Sequence, residues 1–174
     1  LRIAFEKFTK KSPNDVLVLE FERFCESERA WLDDFALFSA IKKDFHDIAW
    51  IEWPQQYRFR RPSTLEEYRK NKEENLRYES FIQFCFYRQW NKLVTYAHER
   101  NIKIMGDIPL FISYDSADVW AHPELFDLDK NLNRRTVAGV PPDYFSPTGQ
   151  LWGNPHYRWR SEEHTSELQS RQVI

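Results

Sequence analysis

At 174 residues the chain has the length of one ordinary domain, and its 25 Lys and Arg nearly balance 27 Asp and Glu. That balance excludes the strong positive field that recruits nucleic acid or an anionic membrane surface, so neither is expected as a partner. No apolar run approaches the ~20 residues a bilayer-spanning helix needs, and the scattered His and Cys, without CxxC or HxxxH spacing, predict no metal and no cofactor. Cys25 and Cys85 read as small buried hydrophobes in a reducing compartment rather than as a disulfide.

In chain order, Leu1, Ala4, Phe5 and Phe8 recur at i, i+3, i+4 and i+7, which predicts an amphipathic helix already under way at the first residue. A helix entered midway predicts a chain cut at this end, and no basic and apolar leader precedes it, so no signal peptide is expected. Pro13-Asn14-Asp15 breaks this helix and can cap a second. Ser27 is the candidate cap of a third, with Trp31, Phe35 and Phe38 on one face and Leu32 and Ile41 beside them. Trp53-Pro54 and Arg61-Pro62 force extended geometry on the residue before each proline. Ser63-Thr64-Leu65-Glu66 has the form of a capping box. From there to Arg100 there is no Gly or Pro, a run long enough to predict a bend or break. Its second half is expected to bury Phe81, Phe84, Cys85, Tyr87, Leu93 and Tyr96. Asn101 suits a left-handed C-terminal cap. Ile102-Lys103-Ile104-Met105 then reads as a short buried parallel strand, and helix, strand and Gly-Asp loop make one βα repeat.

All four glycines and six of the nine prolines lie between Gly106 and Pro155. The first hundred residues are therefore scaffold, and ligand-facing backbone is expected in the last third. Asp107, directly after the strand, either caps its own loop or meets a ligand; both stay open on the residues alone. Asp115, Ser116 and Asp118 read as a cap and turn, and Trp120 and Phe126 as packing. The stretch from Gly139 to Pro155 has no helical or strand period. Pro141 and Pro142 fix φ in advance, while Gly139, Gly149 and Gly153 allow positive φ or close approach. A stiffened loop presenting Tyr144, Phe145 and Trp152 offers flat ring faces of the kind a sugar's C–H face can stack on. Three readings are open: a piece of a carbohydrate-active enzyme, a non-catalytic sugar-binding module that keeps the aromatic loop, or a helical interaction domain whose rings are all core.

The segment 139–146 (GVPPDYFS) with 149–159 (GQLWGNPHYRW) resembles the substrate loop of the 4-α-glucanotransferases, the amylomaltases or disproportionating enzymes of the α-amylase superfamily. Residues 31–38 (WLDDFALF), 106–109 (GDIP) and 114–126 (YDSADVWAHPELF) agree in order and spacing, over nearly all of residues 1–159. The resemblance implies an α/β protein, part of a (β/α)8 TIM barrel. Residues 1–101 would be a helical insertion region and the helix before the strand; residues 102–159 would be one barrel strand with its long substrate loop. It implies that the loop arches over the cleft and contacts glucan through Asp143, Tyr144, Phe145 and Trp152, with Asn154 as a polar neighbour. Asp107 falls where the superfamily's first conserved region lines the donor-sugar site.

The reaction so implied is a retaining transfer between α-1,4-glucan oligosaccharides, in starch, glycogen or maltodextrin metabolism of the cytoplasm. A carboxylate forms a covalent glycosyl-enzyme, which a glucan hydroxyl intercepts in place of water. In the family the nucleophile lies in an Arg-x-Asp-His motif after the fourth strand and the acid/base on a later strand. Neither motif occurs in this sequence, so no catalytic residue is assigned and the chain alone is expected to be inactive. Residues 160–170 (RSEEHTSELQS) resemble the translation of a sequencing-library adapter, and 160–174 are set aside from fold reasoning.

Overall fold

The computed structural model describes residues 1–159. They form two compact units, residues 1–44 with 61–106, and residues 45–60 with those from 107 onward. The elements are α1 (Arg2–Phe8), α2 (Val16–Ser27), α3 (Arg29–Asp44), α4 (Gln55–Arg58), α5 (Pro62–Asn71), α6 (Glu73–His98), α7 (Ala117–Ala121), β1 (Val137–Val140) and β2 (Gln150–Pro155). The tail assigned to an adapter lies outside the described residues.

The first unit is helical, and its helices start and stop for local reasons. Asp15 caps α2 as expected, its Oδ1 accepting the Leu17 N–H at 2.9 Å. Ser27 does not cap α3: it is the last residue of α2, and its hydroxyl donates back to the Phe24 carbonyl. The capping box at 63–66 does not form either. Helix α5 begins one residue earlier, on Pro62, whose fixed φ and missing N–H suit the first helical position. The expected break in the long run falls at Lys72 (φ −126°, ψ 26°), whose ammonium lies 2.9 Å from Asp44.

The core of this unit gathers Phe5, Phe8, Phe21, Phe81 and Phe84, all 5% exposed or less. Phe8 and Phe81 stand 4.8 Å apart, and Phe21 and Phe84 meet edge to face at 5.5 Å. On α3 the buried positions are Leu32, Ala36, Leu37, Phe38, Ala40 and Ile41; Trp31 and Phe35 are half-buried at the edge of that face. Leu93 and Tyr96, expected inside, are 53% and 55% exposed. The rings of α2 and α3 meet α6 at Phe84 and Tyr87, more than a turn before Leu93. Asn101 closes the end as predicted, at φ 57°, with the Ile102 N–H bonded back to the Ala97 carbonyl at 2.9 Å. Cys25 and Cys85 are free thiols beside the core, and burial pushes the Cys25 thiol up to about 11.

The strand expected at 102–105 is absent. Residues Ile102, Ile104 and Met105 lie outside any helix or strand and are 55%, 41% and 96% exposed. A parallel strand is stable with neighbours on both edges and cover on both faces, and the described strands β1 and β2 pair with each other. What the described residues make is helices plus a two-stranded antiparallel sheet.

In the second unit three tryptophans anchor the core: Trp50 and Trp120 are fully buried and Trp53 nearly so. Their indole N–H groups are satisfied, Trp50 by the Tyr114 carbonyl at 2.6 Å and Trp120 by the Tyr57 carbonyl at 3.0 Å. Ser116 caps α7 and Asp115 accepts the Trp50 backbone N–H, so this turn is structural, as read from its residues. Trp53 before Pro54 is extended as predicted (φ −65°, ψ 156°). The strands β1 and β2 overturn the expectation that 139–155 lacks strand structure: they pair Val137 with Pro155, Gly139 with Leu151 and Val140 with Gln150. Glycines hide the alternation. At Gly139 a Cβ would come within 2.6 Å of the Gln150 carbonyl oxygen, so the pairing itself requires glycine.

Candidate functional site

The hairpin β1–β2 carries at its tip the loop 141–149, and that loop is ordered by its own polar groups. Asp143 Oδ1 accepts the N–H groups of Phe145 at 2.9 Å and Ser146 at 2.7 Å, an Asx turn in which the side chain replaces a backbone acceptor. The Asp143 N–H bonds the Ser146 carbonyl, and the Ser146 hydroxyl donates to the Gly149 carbonyl at 2.7 Å. Gly149 closes the loop at φ 75°, where a Cβ would lie 2.6 Å from the Val140 carbonyl oxygen. Helical or strand period cannot bury the two residues held between these bonds. Tyr144 is 95% exposed and Phe145 88%, their rings in contact with each other at 5.6 Å and 90°.

The other expected residues lie off that tip. Trp152, on β2, is 47% exposed; one side packs on Phe111 at 5.8 Å, and its indole N–H donates to Gln150. Asn154 is turned inward, its amide donating to the Ile112 carbonyl at 2.7 Å, which ties β2 to the segment 111–112. Asp107 lies in an exposed stretch and its Oδ1 accepts the Ile108 N–H at 2.8 Å, the capping option left open by its sequence. Thus Asp143, Tyr144 and Phe145 form one group, Trp152 and Asn154 a second on the strand below, and Asp107 stands in the stretch leading to Phe111. Phe111 was not singled out by sequence reasoning; its place two residues after Pro109, in an apolar pair with Ile112, is the signal that marks it.

Around the hairpin's base the polar groups satisfy one another. Asp129 folds the turn 129–133 by accepting the N–H groups of Asn131 at 2.8 Å and Asn133 at 2.9 Å, which hold its carboxyl below the ordinary 3.8. Burial pushes the Tyr114 phenol up to about 12, against the opposing charge of Arg134. A shallow groove of about 880 Å³ is lined by Asp127, Thr136, His156 and Trp159 among others. There Thr136 donates to Asp127 and stands 3.0 Å from His156 Nδ1. Among the described residues no group of three or more His, Cys, Asp and Glu is placed to hold a metal ion.

The site is thus an exposed pair of rings on a self-bonded loop, with a third ring and an inward amide on the strand below. The family model for 4-alpha-glucanotransferase matches residues 1–166. Named 4-alpha-glucanotransferases are similar over nearly the whole chain: that of Clostridium butyricum is 43% identical over 167 residues, that of Streptococcus pneumoniae 46% over 161, and that of Thermus thermophilus 46% over 160. These matches cover 95%, 92% and 91% of this chain and 33%, 32% and 32% of the relatives. Among solved structures, the amylomaltase of Streptococcus agalactiae in complex with acarbose superposes with a TM-score of 0.83 at 39% identity, covering 95% of this chain and 33% of that one. The chain belongs to the 4-alpha-glucanotransferase family, and it spans about a third of the length of the curated relatives it matches. No helix of the described residues is long and apolar enough to cross a membrane.

Proposed function

We propose that this chain supplies the glucan-contacting hairpin of a 4-α-glucanotransferase, an enzyme that moves segments of 1,4-α-D-glucan to an acceptor glucan or glucose by retaining double displacement. The observation that carries the reading is the exposure of Tyr144 and Phe145, 95% and 88%, on a loop whose backbone is bonded to itself. Ordering costs are already met before a ligand arrives, so stacking of sugar faces on the rings is not offset by loop freezing. Trp152 extends the platform, Asp143 holds its shape, Asn154 lies on the strand below, and Asp107 stands in the stretch leading to Phe111, which packs on Trp152. Covering the covalent glycosyl intermediate with such a loop disfavours water and holds an acceptor sugar, which favours transfer over hydrolysis.

The covalent chemistry belongs to carboxylates outside these residues, and residues 102–105, which form no strand here, would become one only where the whole enzyme's barrel pairs them on both edges. In this reading residues 1–101 are the helical insertion and the helix before that strand, and 102–159 the strand with its loop. Two free thiols beside the core support a reducing, cytoplasmic location.

Titration of the 174-residue chain with maltoheptaose, followed by tryptophan fluorescence, tests the binding half of the reading. A saturable response that β-linked cello-oligosaccharides do not give is the expected result; none from a folded sample overturns it. Incubation with maltotriose tests the other half, since longer and shorter maltodextrins above a protein-free control would place the catalytic groups within this chain after all.

A further inference from the structure

The hairpin is bent at one place, and a single side chain holds the bend. Between Val137 and Gly139 the ladder slips: the single residue Ala138 on β1 faces Trp152, Gly153 and Asn154 on β2, so β2 bulges there, and within the bulge Gly153 takes φ 79°. Bulges and left-handed glycines re-aim a strand, so the direction in which Tyr144, Phe145 and Trp152 face is set here. A two-stranded sheet is too weak to hold such a bend by its own ladder. The Gly153 carbonyl instead accepts a hydrogen bond from the Arg134 guanidinium. That guanidinium lies 4.5 Å over the Tyr114 ring, and the Tyr114 hydroxyl donates to the Leu132 carbonyl. The Tyr114 backbone carbonyl in turn receives the indole N–H of fully buried Trp50. Leu132 is at φ 67°, a conformation a leucine keeps only where its surroundings over-determine it. Here Tyr114 and the Asp129 turn do so, and the strained turn delivers Arg134 to the kink. On the next residue of β2, Asn154 makes the second tie, to Ile112.

We infer that Arg134 is a positioning residue: it fixes the aim of the ring-bearing hairpin by clamping the Gly153 kink to the Trp50–Tyr114 core, and so sets glucan affinity without touching glucan. This rests on the glucan-binding reading of the loop. Nothing in the sequence marked it, because an arginine in a charged turn reads as a solvated cation.

The test compares the wild-type chain with Arg134→Ala and Arg134→Lys, reading maltoheptaose affinity, melting temperature, the Trp152 indole N–H resonance and amide exchange over 141–149. Arg134 is exposed, so the melting temperature is expected to hold. The alanine variant should bind maltoheptaose about tenfold more weakly, shift the indole resonance and speed exchange in the loop. Lysine keeps a cation over Tyr114 and one donor for Gly153, and should restore part of the affinity. Unchanged affinity in Arg134→Ala, or a loss matched by a fall in melting temperature and not relieved by lysine, overturns the inference. If the wild-type chain binds no malto-oligosaccharide, the glucan reading fails by itself. The clamp is then judged on the indole resonance and loop exchange, standing if Arg134→Ala moves both and falling otherwise.

Discussion

Phenylalanines and tyrosines are used in opposite ways in the two halves of this chain. In the helical unit Phe5, Phe8, Phe21, Phe81 and Phe84 interlock and stay within 5% exposure. At the hairpin tip Tyr144 and Phe145 make a ring contact within the same range, 5.6 Å, and remain almost wholly in solvent. Ring contact alone therefore does not mark a core. What differs is the backbone beneath. A helix returns its side chains to one face every three or four residues and can bury them together, whereas a loop closed by Asp143, Ser146 and Gly149 turns consecutive residues outward. The first arrangement spends ring surface on folding; the second leaves it in solvent.

Deleting a ring from each place should separate the two uses, and the largest effect belongs to the helical core. Phe81 is 4% exposed and meets the rings of Phe5, Phe8, Phe21 and Phe84 in tilted and edge contacts. Phe81→Ala should cost about 3–5 kcal/mol, the range for a buried aromatic left as a cavity. Urea denaturation followed by helical circular dichroism measures it. A loss under ~1 kcal/mol would mean that the helices carry the unit without their ring cluster.

The same contrast decides how much was legible beforehand. Helical period alone located Phe5, Phe8, Phe81 and Phe84, and residue chemistry located the Asp15 cap, the Asn101 terminus and the exposed loop rings. Leu93 and Tyr96 carry the same period and are nonetheless exposed, because periodicity names a face and not what covers it. Residues 102–105 have strand composition without a strand, since a strand's existence depends on partners that composition does not supply. The hairpin went unseen for the converse reason: glycines at 139, 149 and 153 serve close approach and positive φ, which removes the alternating side chains by which strands are read. Candidate rings were thus visible in the sequence, while the groups that aim them, Phe111, Tyr114 and Arg134, act through long-range contacts that no local pattern records.

A smaller effect is expected from pH at the hairpin's base. The Asp129 carboxyl is held below 3.8 chiefly by the Asn133 N–H, with Asn131 contributing. A depressed carboxyl gives stabilisation that is fully present above the unfolded value and is lost as pH falls through the folded one. Acidification below 3.8 should therefore loosen the 129–133 turn, seen as faster amide exchange at Asn131 and Asn133 relative to helical amides. Asp129→Asn should flatten that dependence. Equal acid sensitivity in the variant would assign it to another carboxyl.

The smallest change in stability should come from the most conspicuous residues. Tyr144 and Phe145 at 95% and 88% exposure have little buried area to lose, and their mutual edge-to-face contact is made in water. The loop's bonds run through Asp143, Ser146 and Gly149, which alanine at 144 and 145 leaves in place. Tyr144→Ala and Phe145→Ala, singly or together, should therefore shift unfolding by no more than ~0.5 kcal/mol, as surface substitutions do. Binding should respond differently, because each ring removed takes away a stacking face that was organised before the sugar came. Maltoheptaose affinity should fall with each deletion and most in the double variant, while Phe81→Ala, measured where it is still folded, should bind as the wild type does. A hairpin variant that unfolds as readily as the core variant would make these rings packing, and one that binds glucan undiminished would leave their exposure without a use.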